Sequence, residues 1–223
     1  MIRFLEPLMD RYATRTFRVG STILYQGEVP RAACIVKSGI VRVYSISPQG
    51  DDQIVTMHVK GEFFPASWIY QKSTSTLFFY EALTDCEIVF APRQELVAYW
   101  DETAAKRRIL LDYFTTNYAA SLIRINALEQ PKARDKLLYT LYFLCMRYGK
   151  YAKTDKKVEI PISLTHQHFA SLVGITRETT AMELNKLKKQ RVISYKQQRY
   201  TVNLEKLSDL VGEETFRDVS ISN

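Results

Sequence analysis

The segment Leu164–Leu187, LTHQHFASLVGITRETTAMELNKL, restricts the fold more than any other part of the chain. Thr165 stands where an N-cap belongs, ahead of a first turn His166-Gln167-His168. Phe169, Leu172 and Val173 share one face of that helix, and Ala170 is small where a second helix would cross closely. Gly174 supplies the turn and Ile175 a plug for the core. Thr176 caps a second helix, Arg177 to Lys189, whose inward face is Thr180, Leu184 and Leu187. Two short helices about a glycine turn make a helix-turn-helix. The stretch RVISYKQQRYTVNL then reads as a hairpin turning at Gln197-Gln198, which is the wing of a winged helix.

The first turn of the second helix exposes Arg177, Glu178 and Ala181. An arginine fork matches guanine O6 and N7, and a carboxylate accepts from cytosine N4, so this pair suits base readout in a major groove. Lys186, Lys188, Lys189 and Arg191 behind it suit backbone phosphates, and Lys196 and Arg199 flank the wing tip. The charge agrees. Residues 1–130 carry 14 basic and 14 acidic side chains, whereas residues 131–223 carry 17 and 10, the whole of the formal +7. Such asymmetry points to an anionic partner, nucleic acid or a membrane surface. A protein-contact reading stays open: a sensor or adaptor whose winged helix meets an acidic protein and selects no DNA sequence. No nucleophile elbow, phosphate loop, metal spacing or coherent acid/base pair points to an enzyme.

Upstream, residues 14–98 read as short strands: TFRVG, TILYQ, AACIVKSG, IVRVYSI, QIVTMHV and CEIVFA. Gly27, Gly39, Gly50 and Gly61 punctuate them at near-even intervals, as in an all-β barrel, sandwich or roll. Pro48-Gln-Gly50-Asp51 has the composition of a hairpin tip. Glycine and proline then vanish, and about 101–129 reads as one long helix. Leu111, Phe114, Tyr118, Ser121, Ile125 and Leu128 follow a 3-4-3-4-3 spacing, the seam of a helix packed on a second copy or on its own β domain. Pro131 marks a hinge. A second helix over 132–148 carries Leu137, Leu138, Leu141, Leu144 and Cys145 on an apolar stripe, with Gly149 as its C′ residue. Lys150–Lys157 reads as a loop and IPIS as a short strand. No run nears the ~18 apolar residues of a membrane span. The opening MIRFLEPLMDRYATRTF holds acids and no apolar core, so it does not read as a secretory signal. Three scattered cysteines fit a reducing cytoplasm.

This order resembles the Crp/Fnr superfamily of bacterial transcription regulators. The resemblance runs from about Thr14 to Leu207. It rests on ILYQGE…IVKSGIVRVY, VKGEFF and LTDCEIVFAPRQEL, similar to a cyclic-nucleotide-binding β-roll and its closing strands, and on ITRETTAMELNKLKKQRVIS, similar to the recognition helix. It implies an α+β protein with an N-terminal double-stranded, jelly-roll-like β-roll, a long dimerisation helix and a C-terminal winged helix-turn-helix. The sensor and its dimer helix would span 1–130, and the DNA-binding domain 131–223. It further implies a homodimer on double-stranded DNA with a two-fold symmetric operator, and RNA polymerase as partner if the regulator activates. A membrane is not expected. Base contacts in the family come from positions matching Arg177, Glu178 and Met182, the last usually arginine. Thr165, Gln167, Thr176 and Lys196 match backbone-contacting positions.

Cyclic AMP is not expected in this sensor. Relatives hold its phosphate with an arginine-serine pair and its ribose with a glutamate just after the GEFF-like turn. Here Pro65-Ala66-Ser67 follows GEFF, and the arginine position falls near Thr76. No cofactor or metal is expected either: the clustered N-terminal cysteines of iron–sulfur relatives are missing, and His58, His166 and His168 are not metal-spaced. Cys34, Cys86 and Cys145 read as buried structural residues. The place of the family's effector pocket is rich in rings, with Phe64, Trp68, Tyr70, Phe78 and Tyr80 as candidates. These rings either line an apolar or aromatic effector site or fill it as core and leave a ligand-independent regulator.

Overall fold

In this computed structural model the described residues are 2–151 and 157–212; the expected loop Lys150–Lys157 is strand at its described ends, Lys150–Tyr151 and Lys157, and residues 152–156 and the last residues of the domain expected over 131–223 lie outside the described set. The chain divides into two units, Met1–Phe114 and Thr115–Asn223.

The first unit contains α1 (Ile2–Arg11), β1 (Thr14–Phe17), β2 (Thr22–Leu24), β3 (Ala33–Ser38), β4 (Ile40–Ile46), β5 (Asp52–Val59), β6 (Phe63–Phe64), α2 (Ala66–Ile69), β7 (Phe79–Ala82), β8 (Cys86–Ala91) and α3 (Arg93–Asp101), and α4 (Ala104–Glu129) begins in it. The strands form two antiparallel sheets, β1-β8-β3-β6 and β2-β7-β4-β5. The run ACIVKS in β3 lacks polar alternation because both of its faces are buried. Cys34 and Val36 join Val41, Val43, Phe64, Tyr80 and Ile88 in the core between the sheets. Ala33 and Ile35 point the other way, to Phe63, Trp68, Leu96 and Trp100 and to Leu5, Leu8 and Met9 of α1. Successive side chains on a strand take opposite faces, so neighbouring Phe63 and Phe64 serve different cores.

Several expectations change here. The six expected strands form, IVRVYSI and CEIVFA with the expected bounds and the other four with shifted ends; β4 and β5 join through Ser47–Asp51, and β6 and β7 add to them. The closing segment LTDCEIVFAPRQEL is strand only to Ala91. Pro92 then heads α3, its carbonyl accepting from the N–H groups of Glu95 and Leu96 at 3.1 Å each. The single helix expected over 101–129 starts at Ala104, because the Thr103 hydroxyl accepts from the Lys106 N–H at 3.2 Å and caps it. The short helix α1 has no counterpart in the sequence reading. Ten residues are too few to persist alone, and its buried Leu5, Leu8 and Met9, at roughly 1.5–3 kcal/mol each, hold it on the sheet.

The second unit takes the rest of α4, then α5 (Ala133–Tyr148), β9 (Lys150–Tyr151), β10 (Lys157–Ile160), α6 (His166–Val173), α7 (Arg177–Lys189), β11 (Ile193–Lys196), β12 (Arg199–Asn203) and α8 (Leu204–Val211). Its sheet runs β11-β12-β10-β9. α5 packs on α6, α7, α8 and β10, and burial extends well beyond the expected stripe to Thr140, Tyr142, Phe143, Met146 and Tyr148. The strand expected at IPIS is KVEI, three residues earlier, and ends before Pro161, which has no N–H for a ladder. Gly149 is no left-handed C′ residue. Its backbone is extended, and a Cβ there would lie 2.2 Å from the Cys145 carbonyl oxygen. The buried face of α4 in this unit is Ala120, Arg124 and Ala127. The Arg124 guanidinium donates to the Leu172 carbonyl near the end of α6 and to Thr140 Oγ1 at 3.5 Å, and burial pushes its pKa down to about 10.

Gly39 joins β3 to β4 at φ +84°, and an added Cβ would meet the Asp85 carbonyl oxygen at 2.3 Å. Gly39→Ala is therefore expected to cost about 2–4 kcal/mol in denaturant unfolding. Gly50→Ala, at φ +88° with nothing within 4 Å, is expected to cost only the backbone strain, about 1 kcal/mol.

Candidate nucleic-acid interface

Thr165 and Thr176 set where the two helices of the helix-turn-helix begin. Thr165 Oγ1 accepts from the His168 N–H at 3.1 Å, while His168 Nδ1 accepts from the Thr165 N–H at 3.3 Å, a reciprocal capping box. Thr176 Oγ1 accepts from the Thr179 N–H at 3.2 Å. Gly174 closes α6 at φ +71°. Ile175, expected as a core plug, is only half-buried. Thr180, Leu184 and Leu187 are fully buried, as their spacing requires, and Thr180 Oγ1 donates to the Thr176 carbonyl at 2.9 Å, so a polar side chain is satisfied inside.

Burying that stripe turns the other side of α7 outward. Arg177, Glu178 and Thr176 are exposed, Met182 is 51% exposed and Ala181 is half-buried. Asn185, absent from the sequence-derived set, shares this outward side. Its signal was available: it lies seven residues, or two helical turns, beyond Glu178. The basic residues differ among themselves. Lys189, Lys196 and Arg199 are exposed, whereas Lys186 pairs with Glu183 at 2.6 Å and Lys188 stands 4.4 Å from the Tyr195 ring centre. Lys186, Lys188 and Lys189 also lie in the last turn of α7, where they complement the helix dipole.

The wing turns at Gln197-Gln198, both at positive φ, +50° and +64°. Leu164 donates its N–H to the Gln198 carbonyl at 2.9 Å and thereby ties the tip to the entry of α6. Lys196 and Arg199 face each other directly across the hairpin. Like charges so placed repel, and an anion at the tip relieves them. A groove of about 670 Å³ lies between tip and helices, and its walls bring together Thr165, Gln167, Arg177, Tyr195 and Gln198. Glu178, Met182, Lys186 and Lys189 lie outside it.

The expected seam residues of α4 divide. Leu111, Tyr118, Ile125 and Leu128 are 60%, 66%, 52% and 41% exposed in the single chain, and Ser121 is exposed with its hydroxyl donating to the Asn117 carbonyl. Phe114 instead turns toward the β-sheet core, its ring 5.6 Å from Tyr70 and 6.2 Å from Phe63. Tyr70 and Phe63 leave an aromatic socket there that no sequence spacing reveals.

The candidate effector residues do not form one set. Phe64 and Tyr80 stack at 4.8 Å in the core between the sheets, where Phe78 packs beside them, and His58 stacks on Phe64 at 5.2 Å. Trp68 and Tyr70 belong to the opposite core. Thr76, near which the family's phosphate-binding arginine was expected to fall, is buried and its hydroxyl donates to the Tyr25 and Glu28 carbonyls. Burial pushes the thiols of Cys34, Cys86 and Cys145 above their ordinary range. Among the described residues no group of three or more His, Cys, Asp or Glu is placed to hold a metal, and no helix is long and apolar enough to cross a membrane.

Comparison with known proteins bears on both units. Residues 14–102 match the cyclic nucleotide-binding domain, and residues 135–210 match the Crp-like helix-turn-helix domain. The nitrogen fixation regulation protein FixK of Rhizobium meliloti is 25% identical, across 86% of this chain and 83% of that protein. The fumarate and nitrate reduction regulatory protein of Vibrio cholerae is 22% identical, across 93% and 81%. In fold the chain is similar to a CooA mutant from Carboxydothermus hydrogenoformans, with TM-score 0.73, 21% identity, and 92% and 90% of the two chains covered. FixK2 from Bradyrhizobium japonicum follows at TM-score 0.70, 18% identity, 89% and 96% covered. A β-roll of the first kind joined by a long helix to a winged helix of the second, in the order these regulators share, makes this chain a transcription regulator of the Crp/Fnr superfamily.

Proposed function

We propose that the chain works as a homodimer that reads a two-fold symmetric operator in double-stranded DNA, with a sensor unit that does not take cyclic AMP. The exposed first turn of α7 carries this reading. Arg177 and Glu178 are exposed at the start of a helix whose stripe Thr180, Leu184 and Leu187 is fully buried. Arg177 suits guanine and Glu178 suits cytosine; Ala181 and Met182 lie one turn on. Thr165, Gln167 and Thr176 at the helix starts, Lys196 and Arg199 on the wing and Lys189 in the last turn of α7 offer donors for phosphates, and Lys186 adds a weaker one because Glu183 already engages it.

The exposed stripe Leu111, Tyr118, Ile125 and Leu128 supports the dimer. Large apolar side chains at heptad spacing are costly in water, and a second copy of the same helix buries them. Paired recognition helices then meet half-sites ~34 Å apart. RNA polymerase is a further partner where the chain activates. The sensor reading rests on Thr76: a neutral hydroxyl already donating to the Tyr25 and Glu28 carbonyls of another segment offers a cyclic phosphate neither charge nor donor.

Three outcomes test this. Arg177→Ala and Glu178→Ala are each expected to lower affinity for a selected operator roughly ten-fold or more while leaving binding to random duplex nearly unchanged. Gel shifts at fixed salt read the difference. Ile125→Glu is expected to convert dimer to monomer in sedimentation equilibrium. Its site is exposed in the single chain, so each monomer keeps its fold. Cyclic AMP at millimolar concentration is expected to leave the melting temperature and operator affinity unchanged; a rise in either overturns the sensor reading.

A further inference from the structure

The outward side of α7 extends past its first turn. Its buried side, Thr180, Glu183, Leu184 and Leu187, leaves Glu178, Met182, Asn185 and Lys189 on the far side, and all four are exposed. At about 100° per residue these four fall within a sector of roughly 60°. A helix that sets Glu178 against base edges therefore sets Met182 and Asn185 there as well.

Asn185 is also oriented. Its Oδ1 accepts from the Tyr195 hydroxyl at 3.4 Å, and Tyr195 is held by the Tyr200 ring at 5.0 Å and by Lys188 Nζ at 4.4 Å from its ring centre. One oxygen lone pair thus turns toward the wing. The other, with both Nδ2 hydrogens, is free to face outward. An amide places an acceptor beside a donor. In the major groove adenine alone offers the complement, its N6 donor beside its N7 acceptor, whereas guanine offers two acceptors and cytosine only a donor. Met182 is apolar, and the matching groove feature is the thymine methyl group.

We propose that Asn185 is a specificity-determining residue that reads an adenine in each half-site, with Met182 against a thymine methyl group, so that an A·T pair accompanies the pairs taken by Arg177 and Glu178. The inference rests on α7 being the helix that enters the major groove. It is tested by selecting duplexes from a randomised pool with the full-length chain and with its Asn185→Ala and Asn185→Asp variants, then sequencing the bound fraction.

Wild type is expected to prefer adenine roughly ten-fold at one position per half-site. Asn185→Ala should flatten that position and leave the others, at an exposed site where alanine is a good helix former. Asn185→Asp should move the preference to cytosine, because a carboxylate only accepts. The alanine variant decides if added charge suppresses binding by the aspartate one. A selected half-site identical for wild type and Asn185→Ala overturns the role of Asn185 alone. A wild-type pool with no enriched sequence overturns the DNA-reading role itself.

Discussion

The recognition surface depends on the burial of α5. Ten of its side chains are buried, and α6, α7, α8 and β10 all pack against it. A helix resting on such a core has one free variable, its rotation about its own axis. For α7 that rotation is set by Thr180, Leu184 and Leu187, which have no other place to go. Rotating α7 by one residue would bring a buried leucine to water and a charged side chain into the core, at a cost of several kcal/mol. Which side chains face a partner is thus decided from behind, by hydrophobic packing. Arg124 adds to this from α4 by engaging the Leu172 carbonyl near the end of α6.

The first unit shows the same economy on a sheet. Strand β3 is apolar on both faces because the sheet containing it is covered by the second sheet on one side and by helices on the other. The adjacent pair Phe63-Phe64 divides between those two cores, and the rings around it follow. Aromatic side chains that might have walled a ligand site are packed on each other, Phe64 on Tyr80 and Phe114 on Tyr70.

Legibility in the sequence followed the range of the interactions. The helix-turn-helix could be read in detail because its signals are local: Thr165 and Thr176 cap through hydrogen bonds spanning three residues, and the buried stripe of α7 repeats every three or four. The strands were readable for a similar reason, though β6 and β7 are short and sit in a segment whose aromatic content suggested a pocket. What escaped were elements that exist only by tertiary contact. Helix α1 is held by side chains of a distant sheet, and Phe114 leaves the heptad seam for a socket formed by residues more than 40 positions away. Asn185 differs, since its exposure follows from a helical phase visible in the sequence, whereas its contact with Tyr195 of the wing is tertiary.

The wing turn has a consequence of its own. Consecutive residues at positive φ are normally Asn-Gly or Gly-Gly, yet here two glutamines occupy them. Each left-handed glutamine holds strain of about 1 kcal/mol that glycine would release. What the strain retains is a pair of long amides at the most projecting point of the hairpin, between two opposed cations. A designer seeking only thermal robustness would replace them and obtain a steadier, blunter tip. The natural turn instead keeps two exposed amide side chains at the tip, at the cost of that backbone strain.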